Sequence, residues 1–268
     1  MNKLIKISAK IRHTLCDISY TTKTPHLGSS LSCIDILTVL YWKILNINPN
    51  KANMDERDYF ILSKGHAASA LYTTLAYRGF FDIEDLYQHG QTDSVFEEHP
   101  GANSPKGVEA VSGSLGHALS LATGMALACK IKKQDNQFYV LMGDGELNEG
   151  TIWEAAMFAA GKKLNNIVAI IDFNKLQGTG ISCEIMHLEP LEGKWAAFGW
   201  HTIRVDGHDI KALNAAFLEA KAINKPVCIV ADTIKGKGIS FMENDNNWHY
   251  RIPTQDEVEK AKQELGLQ

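Results

Sequence analysis

Several patterns that would assign this 268-residue chain to a common class are missing from it. It has no block of lysine and arginine, and its net charge is −4 with both signs mixed along the chain, so nothing indicates a nucleic-acid or membrane surface. No apolar run approaches the length that spans a bilayer. The N-terminal segment MNKLIKISAKIRHTL lacks the continuous apolar core and the cleavage site of a secretory signal peptide.

The cysteines do not form a recognisable framework either. They are scattered, odd in number and contain no C-x-x-C pair, which excludes a disulfide-stapled scaffold and a cysteine-based zinc site. We therefore expect reduced, mostly buried thiols in a cytoplasmic protein, at Cys16, Cys33, Cys129, Cys183 and Cys228.

Apolar residues are plentiful, at 45% of the chain, which is enough for one large core or two small domains. No internal repeat, low-complexity tract or linker divides the sequence. We expect residues 1–268 to form a single domain.

The N-terminal third is predicted to be helical. Apolar residues recur at helical spacing from Ile7 to Ile18. The pair Ser32 and Asp35 resembles a capping box, and Gly79 is placed to end a later helix.

From about residue 110 onward, helices alternate with strands. FYVLMGD, NIVAIID, TIRVDG and PVCIVADTI are predicted strands, and the segments between them include the predicted helices TIWEAAMFAAGKK and IKALNAAFLEAKAI. This alternation predicts a three-layer α/β/α fold with a mainly parallel sheet behind a helical N-terminal region. Right-handed crossovers bring the carboxyl ends of all such strands to one edge, where ligands bind.

The segment GDG at residues 143–145 falls at that edge. Asp144 ends a predicted strand, and the flanking glycines allow a sharp turn and the close approach of a ligand. The helix that begins near Gly150 directs its N-terminus to the same edge, which suits a phosphate. Asn174 follows the next predicted strand, and strands joined by one crossover helix can be neighbours. A carboxylate, an amide oxygen and a backbone carbonyl suit Mg²⁺ or Ca²⁺ that also binds phosphate.

Other interpretations of GDG fit less well. The segment is neither a G-x-x-x-x-G-K-[ST] phosphate loop nor a G-x-G-x-x-G dinucleotide motif. A calcium-binding EF-hand loop would begin well at Asp144, but it needs glycine and a final glutamate where this chain has Glu149 and Ala155. In the remaining alternative Asp144 only caps the following helix, and the position of Asn174 favours the metal and phosphate site instead.

The motifs together resemble a known family. GDGELNEG, followed by a helix, a strand and DFNKLQG, is similar to the thiamine-diphosphate motif. TPHLGSSLSCIDIL, RDYFILSKGHAASALY, HPGANSPKGVEAVSGSLGHALSLATGMALA and GWHTIRVDGHD, in this order, resemble the N-terminal part of transketolase. The chain stops where the pyrimidine-binding domain of transketolase would begin. It therefore resembles the separately encoded N-terminal subunit of a split transketolase, with the diphosphate-binding domain fold of that family.

The resemblance implies a site, position by position. Mg²⁺ would be bound by Asp144, Asn174 and the backbone carbonyl of Leu176. Glu149 matches an acidic position that, in the family, helps to couple the two active sites of the assembly. The residues implied to contact thiamine diphosphate are His66, Gly113, Ser114, Leu115, Asp144, Gly145, Glu146, Glu149, Asn174 and His249.

The implied catalytic residues are histidines, because imidazole titrates near neutral pH and can move protons at sugar hydroxyls. Each of them also has a structural interpretation as a loop or capping residue. Tyr250 stands where the resemblance leads us to expect glycine. Lys235 and Lys237, in TIKGKG, resemble a mobile loop before His249, and the alternative is a solvated basic turn. The implied catalytic histidines are His26, His66, His99 and His249.

The resemblance also implies that this chain carries only half of an active site. In the family the glutamate that activates the cofactor lies on the pyrimidine-binding domain, and no second α/β domain fits in this chain. We expect a separate C-terminal subunit with that domain, a two-plus-two heterotetramer, and transfer of a two-carbon ketol unit between sugars or sugar phosphates. The alternatives are another thiamine-diphosphate enzyme, such as a specialised ketol or acyl transferase for unusual sugars or secondary metabolites or a 2-oxo-acid dehydrogenase subunit, and a non-catalytic regulatory relative.

Overall fold

The computed structural model describes residues 2–51, 54 and 56–267. Its strands are Tyr59–Leu62 (β1), Phe138–Gly143 (β2), Ile167–Phe173 (β3), Leu176–Gln177 (β4), Gly180–Ile181 (β5), His201–Asp206 (β6) and Val227–Asp232 (β7). Five of them form one parallel sheet in the order β1, β2, β3, β7, β6. The short strands β4 and β5 pair as an antiparallel hairpin directly after β3.

Strands β1, β2, β3 and β7 are buried on both faces, as a parallel sheet between two helical layers requires, whereas the edge strand β6 is half-buried to exposed. In β2, Phe138, Val140 and Met142 belong to the hydrophobic cluster on one face, whereas Tyr139 and Leu141 belong to the cluster on the other. This alternation follows from the two-residue period of a strand. The predicted three-layer α/β/α fold with a parallel sheet is confirmed.

The helices supply the two outer layers. The cluster on one face is completed by the helices at 117–131, 150–161 and 191–197, and the cluster on the other face by those at 2–22, 34–39, 210–222 and 255–264, among others. Short 3₁₀ turns at 65–67, 145–148 and 246–249 lie at the sheet edge described below. The helices span Asn2–Thr22 (α1), Leu27–Ser32 (α2), Ile34–Val39 (α3), Ala68–Arg78 (α4), His117–Ile131 (α5), Gly150–Gly161 (α6), Ser182–Ile185 (α7), Leu191–Ala197 (α8), Ile210–Ala222 (α9) and Gln255–Glu264 (α10).

Two predictions for the N-terminal third need correction. The capping box is wrong, because Ser32 is the last residue of α2 and its hydroxyl donates to Asp172 Oδ2 at 2.5 Å. Asp35 forms a buried ion pair with Arg12 instead of serving a helix end. The region is also not wholly helical, since it contains β1. The helix end at Gly79 is confirmed, with the glycine at φ 86°.

The cysteines are all free thiols, and Cys16, Cys33 and Cys228 are buried, as the sequence predicted. None of the helices formed by the described residues is both long and apolar enough to cross a bilayer.

Candidate active site

The carboxyl ends of β2 and β3 bring the predicted metal ligands to one place. The two strands are adjacent and parallel, so Asp144 and Asn174, which follow them, lie at the same edge of the sheet. Asp144 is buried; its Oδ1 accepts a hydrogen bond from the Gly145 N–H (2.9 Å) and its Oδ2 accepts one from Ser182 Oγ (2.7 Å). Asn174 Oδ1 accepts a hydrogen bond from the N–H of Leu176 (3.1 Å).

A cavity of about 250 Å³ opens beside these side chains. Its walls come from the ends of β1, β2 and β3, from the hairpin β4–β5 and from the turn that ends at His249. The predicted residues among its lining are His66, Leu115, Asp144, Gly145, Glu146, Asn174, Leu176 and His249. Gly143, the first glycine of GDG, also lines the cavity, and the lining residues that the sequence did not single out are Ser29, Lys64, Gln177 and Gly178.

The other predicted residues lie around the cavity or outside it. Gly113 packs against His99, and a Cβ on this glycine would lie 3.3 Å from atoms of the histidine side chain. Ser114 is exposed and does not line the cavity. Glu149 is also exposed, beside Gly116 at the start of α5. The implied cofactor contacts of Gly113, Ser114 and Glu149 therefore stay predictions.

Four histidine rings, His26, His66, His99 and His249, form one group that we call the histidine cluster. His26 lies at its centre, with its ring centroid 5.0 Å from that of His249, 5.6 Å from His66 and 5.7 Å from His99. The backbone fixes this position, because the N–H of His26 donates to the carbonyl of His249 at 2.9 Å. His26 also has φ 68°, a left-handed conformation that costs a residue other than glycine about 1–2 kcal/mol.

Burial keeps His26, His66 and His249 neutral. Desolvation lowers the pKa of His26 to about 4 and that of His249 to about 3, and it lowers the pKa of His66 well below its ordinary value. The nearby positive charges of Lys235 and Lys64 act in the same direction on His249 and His66. A neutral imidazole has one nitrogen that accepts a proton and one that donates a hydrogen bond, which is what proton transfer at a hydroxyl requires.

Lys235 determines which nitrogen of His249 carries the hydrogen. The lysine Nζ donates to Asn246 Oδ1 at 2.7 Å and lies 3.1 Å from His249 Nδ1. Burial lowers the pKa of Lys235 to about 8, so the lysine is protonated at neutral pH and can only donate. His249 Nδ1 therefore accepts, and Nε2–H faces the cavity wall at Gly178. Because Lys235 is buried, the interpretation as a solvated basic turn is wrong.

A buried ion pair that the sequence did not reveal lies beneath the cavity. Lys64 Nζ donates to Asp172 Oδ2 and to the carbonyl of Ser29 (2.9 Å). Asp172 also accepts hydrogen bonds from Ser32 Oγ (2.5 Å) and from Thr233 Oγ1. Burial alone would raise the pKa of Asp172, but the charge of Lys64 holds it below its ordinary value. The sequence contains one indication of this pair, because Asp172 is a charged residue inside the apolar run NIVAIID, two positions before Asn174.

Glu146 joins three segments behind the cavity wall. Its Oε1 accepts from Ser63 Oγ and from the N–H of Gly116 (2.8 Å), and its Oε2 accepts from the N–H of Gly143 (3.2 Å). These bonds connect the turn after β1, the start of α5 and the GDG turn. The carboxylate is buried, and burial raises its pKa. These contacts show that Glu146 positions the three segments relative to one another. Direct contact of Glu146 with a cofactor stays a prediction.

The sheet edge fits a divalent cation bound together with a diphosphate. Burial raises the pKa of Asp144 to about 6, so a cation beside this carboxylate would offset the cost of its buried charge. Asn174 Oδ1 and the Leu176 carbonyl are further hard oxygen donors. Within residues 2–51, 54 and 56–267, no group of three or more His, Cys, Asp or Glu side chains could hold a metal. The remaining ligands of such a site would be diphosphate oxygens and water.

Comparison with known families agrees with this geometry. A family model described as transketolase, thiamine diphosphate binding domain, matches residues 4–268. The chain belongs to the transketolase family. The predicted resemblance to the N-terminal part of transketolase is thereby confirmed, and with it a transketolase-type, thiamine-diphosphate-dependent function within a family of enzymes.

Several transketolase relatives match almost end to end. One of them, from Phocaeicola vulgatus, is named as a subunit of apulose-4-phosphate transketolase; it is 42% identical over 260 residues, which cover 97% of this chain and 92% of that protein. The 6-deoxy-6-sulfo-D-fructose transketolase subunit SqwG of a Clostridium species is 43% identical over 241 residues, covering 90% of this chain and 88% of that protein.

Longer transketolases match over part of their length. Human transketolase is 37% identical over 247 residues, which cover 91% of this chain but 39% of that protein. The crystal structure of transketolase from Campylobacter jejuni superimposes with a TM-score of 0.93 at 30% identity, covering 99% of this chain and 43% of that one. This transketolase-family chain therefore corresponds to about two fifths of the longer enzymes.

Proposed function

We propose that this chain is the diphosphate-binding half of a ketol transferase that uses thiamine diphosphate and Mg²⁺, a role that Ca²⁺ could also fill. The enzyme moves a two-carbon ketol unit from a ketose or ketose phosphate to an aldose or aldose phosphate. The observation that carries the proposal is the convergence of Asp144, Asn174, His66 and His249 on one cavity at the carboxyl ends of parallel strands, with His26 packed against both histidines.

Each part of the cavity has a proposed task. Asp144, Asn174 and the Leu176 carbonyl hold the cation, which neutralises the diphosphate. Thiamine diphosphate supplies, when bound, the nucleophilic carbon that attacks the ketose carbonyl. His249 donates a hydrogen bond through Nε2–H, and His26 together with the rest of the cluster moves protons at sugar hydroxyls. The proposed cofactor contacts are His66, Gly113, Ser114, Leu115, Asp144, Gly145, Glu146, Glu149, Asn174 and His249.

We further propose that the chain works only with a partner. Residues 1–268 are taken as a single diphosphate-binding domain, and a separate C-terminal subunit supplies the pyrimidine-binding domain and its activating glutamate in a two-plus-two heterotetramer. Two observations support this. Relatives of similar length are named as subunits, and the longer transketolases extend well beyond the matched region.

A second candidate is a ketol transferase for an unusual sugar. The relatives from Phocaeicola vulgatus and Clostridium are named for apulose 4-phosphate and 6-deoxy-6-sulfo-D-fructose, and both are more than 40% identical to this chain. The two candidates share the cofactor site and differ in the donor. A panel of donors that includes both sugars and the common ketose phosphates separates them, because the preferred donor has the highest kcat/KM.

The proposal is tested by purifying the chain alone and together with its co-purifying partner. We expect ketol transfer from the complex, none from the chain alone, and loss of Mg²⁺-dependent cofactor binding in the complex when Asp144 is replaced, Asp144→Ala. Replacement of an exposed carboxylate on α10, Asp256→Ala, is the matched control and leaves binding unchanged. Robust transfer by the chain alone would refute the need for a partner, and unchanged binding in Asp144→Ala would refute the cation site.

A further inference from the structure

Tyr250 stands at the open side of the histidine cluster. Its ring centroid lies 4.6 Å from that of His249, at an interplanar angle of 80°, and 5.9 Å from that of His26. These ring contacts hold the tyrosine in place although 66% of its surface is exposed in this chain. Its hydroxyl makes no hydrogen bond to any residue that the structure describes. An ordered aromatic ring with a free hydroxyl therefore faces the space in front of the cluster.

The tyrosine reaches across to the hairpin β4–β5. A Cβ on Gly178, between the two hairpin strands, would lie 3.5 Å from Tyr250 Oη and 3.2 Å from His249 Nε2. A side chain at position 178 would therefore compete with the phenol for the same space. Because position 178 is glycine, the Tyr250 hydroxyl occupies the space beside Gly178, which lines the cavity.

The charged side chains near this opening are buried or already paired: Lys235, beside His249 Nδ1, is buried and donates to Asn246 Oδ1. Arg251, the next residue, pairs with Glu257 at 2.5 Å and stacks over the Trp248 ring at 4.3 Å, so its guanidinium is already engaged. The imidazoles of His26 and His249 are neutral. A ligand that passes Tyr250 meets an aromatic surface and a hydroxyl, and these groups fit the C–H and O–H groups of a carbohydrate better than they fit a phosphate.

We propose that Tyr250 is a specificity-determining residue that contacts the middle of an open-chain, polyhydroxylated ketose. This inference rests on the proposed function, in which the carbonyl of the donor reacts beside His249. The diphosphate end of the cavity is closed by Asp144 and the strand ends, so the rest of the sugar extends outward past Tyr250. The ring packs against its C–H groups, and the hydroxyl hydrogen-bonds to a sugar hydroxyl beyond the carbonyl.

Donors of different length distinguish a specificity role of Tyr250 from a purely structural role. Hydroxypyruvate is a three-carbon ketol donor that carries only a carboxylate, lost as CO₂, past the reacting carbonyl, whereas five- and six-carbon ketose phosphates extend to Tyr250. Variants at position 250 should therefore change KM for the long donors and leave hydroxypyruvate nearly unaffected. A general disturbance of the site would change KM for all donors alike.

The experiment uses the complex of this chain with its co-purifying partner. Tyr250→Phe, which keeps the ring, should raise KM for the long donors about fivefold, the equivalent of one neutral hydrogen bond. Tyr250→Gly should raise it by about tenfold or more, and both variants should change KM for hydroxypyruvate by less than about twofold. Tyr87→Phe removes the hydroxyl of another exposed tyrosine, which hydrogen-bonds to Asp17 on α1, and serves as the matched control.

Cofactor affinity, measured by calorimetry on each variant, confirms that the site is intact. If the Tyr250 variants change KM equally for hydroxypyruvate and for the long donors, or change neither, the proposed role of Tyr250 is refuted. The proposed function is not affected by either result. If the wild-type complex transfers no ketol unit from any donor, the proposed function fails and the inference fails with it. Should Tyr250→Gly not fold, the isosteric Tyr250→Phe still decides between the two outcomes.

Discussion

Ser182 Oγ donates a hydrogen bond of 2.7 Å to Oδ2 of Asp144. The serine begins α7, after the hairpin β4–β5, whereas Asp144 follows β2. The other carboxylate oxygen accepts from the Gly145 N–H at 2.9 Å. The orientation of the carboxylate is therefore fixed by the protein itself, and the hairpin is linked to the proposed cation site.

Removal of the serine hydroxyl should weaken cation binding without abolishing it. Groups that orient a metal ligand typically contribute 10–100-fold to metal affinity, so we expect Ser182→Ala to weaken Mg²⁺ binding by about tenfold or more. The measurement is a calorimetric Mg²⁺ titration of the complex at a fixed concentration of thiamine diphosphate. Ser182→Thr keeps a hydroxyl and is the matched control. Equal Mg²⁺ affinities for wild type and Ser182→Ala would contradict the prediction.

The buried pair of Lys64 and Asp172 should dominate local stability. Removing one partner leaves an uncompensated buried charge, so Lys64→Met and Asp172→Leu should each lower the free energy of unfolding by about 3–5 kcal/mol. The double variant should lose less free energy of unfolding than the two single variants lose together, because it buries no unpaired charge. Urea unfolding of the chain without cofactor measures all three values.

The partly exposed pair of Lys237 and Glu243 provides the control for this cycle. Lys237→Met should change the free energy of unfolding by less than about 1 kcal/mol, as is usual for surface ion pairs. Additive effects of Lys64→Met and Asp172→Leu would show that the two residues do not act as a pair.

The sheet and its functional edge were predictable because they follow from local rules. Apolar runs bounded by polar residues identified β2, β3 and β7, and TIRVDG was predicted as a further strand, β6. The parallel topology then required Asp144 and Asn174 to meet. Strand β1 was missed because its four residues, YFIL, lie between segments with helical periodicity. Four residues are too few to establish a two-residue period.

Interactions that depend on tertiary contacts were not predictable from the sequence. Lys64 and Asp172 are separated by 108 positions, and neither residue type indicates that the other neutralises it. Ser32 and Asp35 have the spacing of a capping box, but buried partners, Asp172 and Arg12, bind them more strongly than a helix end would. The histidine cluster followed from the family resemblance, whereas its geometry required the fold.

His26 and His249 should make stability depend on pH. An unfolded histidine takes up a proton near pH 6.5, whereas folded His26 does so only near about pH 4 and His249 near about pH 3. Between these values the unfolded chain binds more protons, so the free energy of unfolding falls as pH falls below about 6.5. His26→Asn and His249→Asn should each reduce the slope of urea-unfolding stability against pH.

Asp144 acts in the opposite direction in part of this window. Its pKa is raised to about 6, so the folded chain binds more protons at this site as pH falls towards the ordinary value. The comparison is therefore made between each histidine variant and the wild type, and not from the wild-type curve alone. A slope that is the same in wild type and both histidine variants would contradict the neutral, buried state of His26 and His249.

Glu146 distinguishes a positioning role from direct cofactor contact. Glu146→Gln keeps the shape of the side chain, but its NH₂ group cannot accept the hydrogen bonds that the carboxylate receives from the Gly116 and Gly143 N–H groups and from Ser63. At least one buried donor then loses its partner. We expect the free energy of unfolding of the chain without cofactor to fall by about 1–3 kcal/mol.

The comparison variant is Glu154→Gln, at an exposed glutamate on α6, which should leave the stability unchanged. If Glu146 instead serves the cofactor directly, Glu146→Gln leaves the stability of the cofactor-free chain unchanged and lowers only cofactor affinity. The stability of the cofactor-free variant therefore distinguishes a positioning role of Glu146 from a direct contact with the cofactor. A loss of stability without cofactor means that the carboxylate holds the GDG turn against β1 and α5, and that any loss of cofactor affinity is a consequence of moving Asp144.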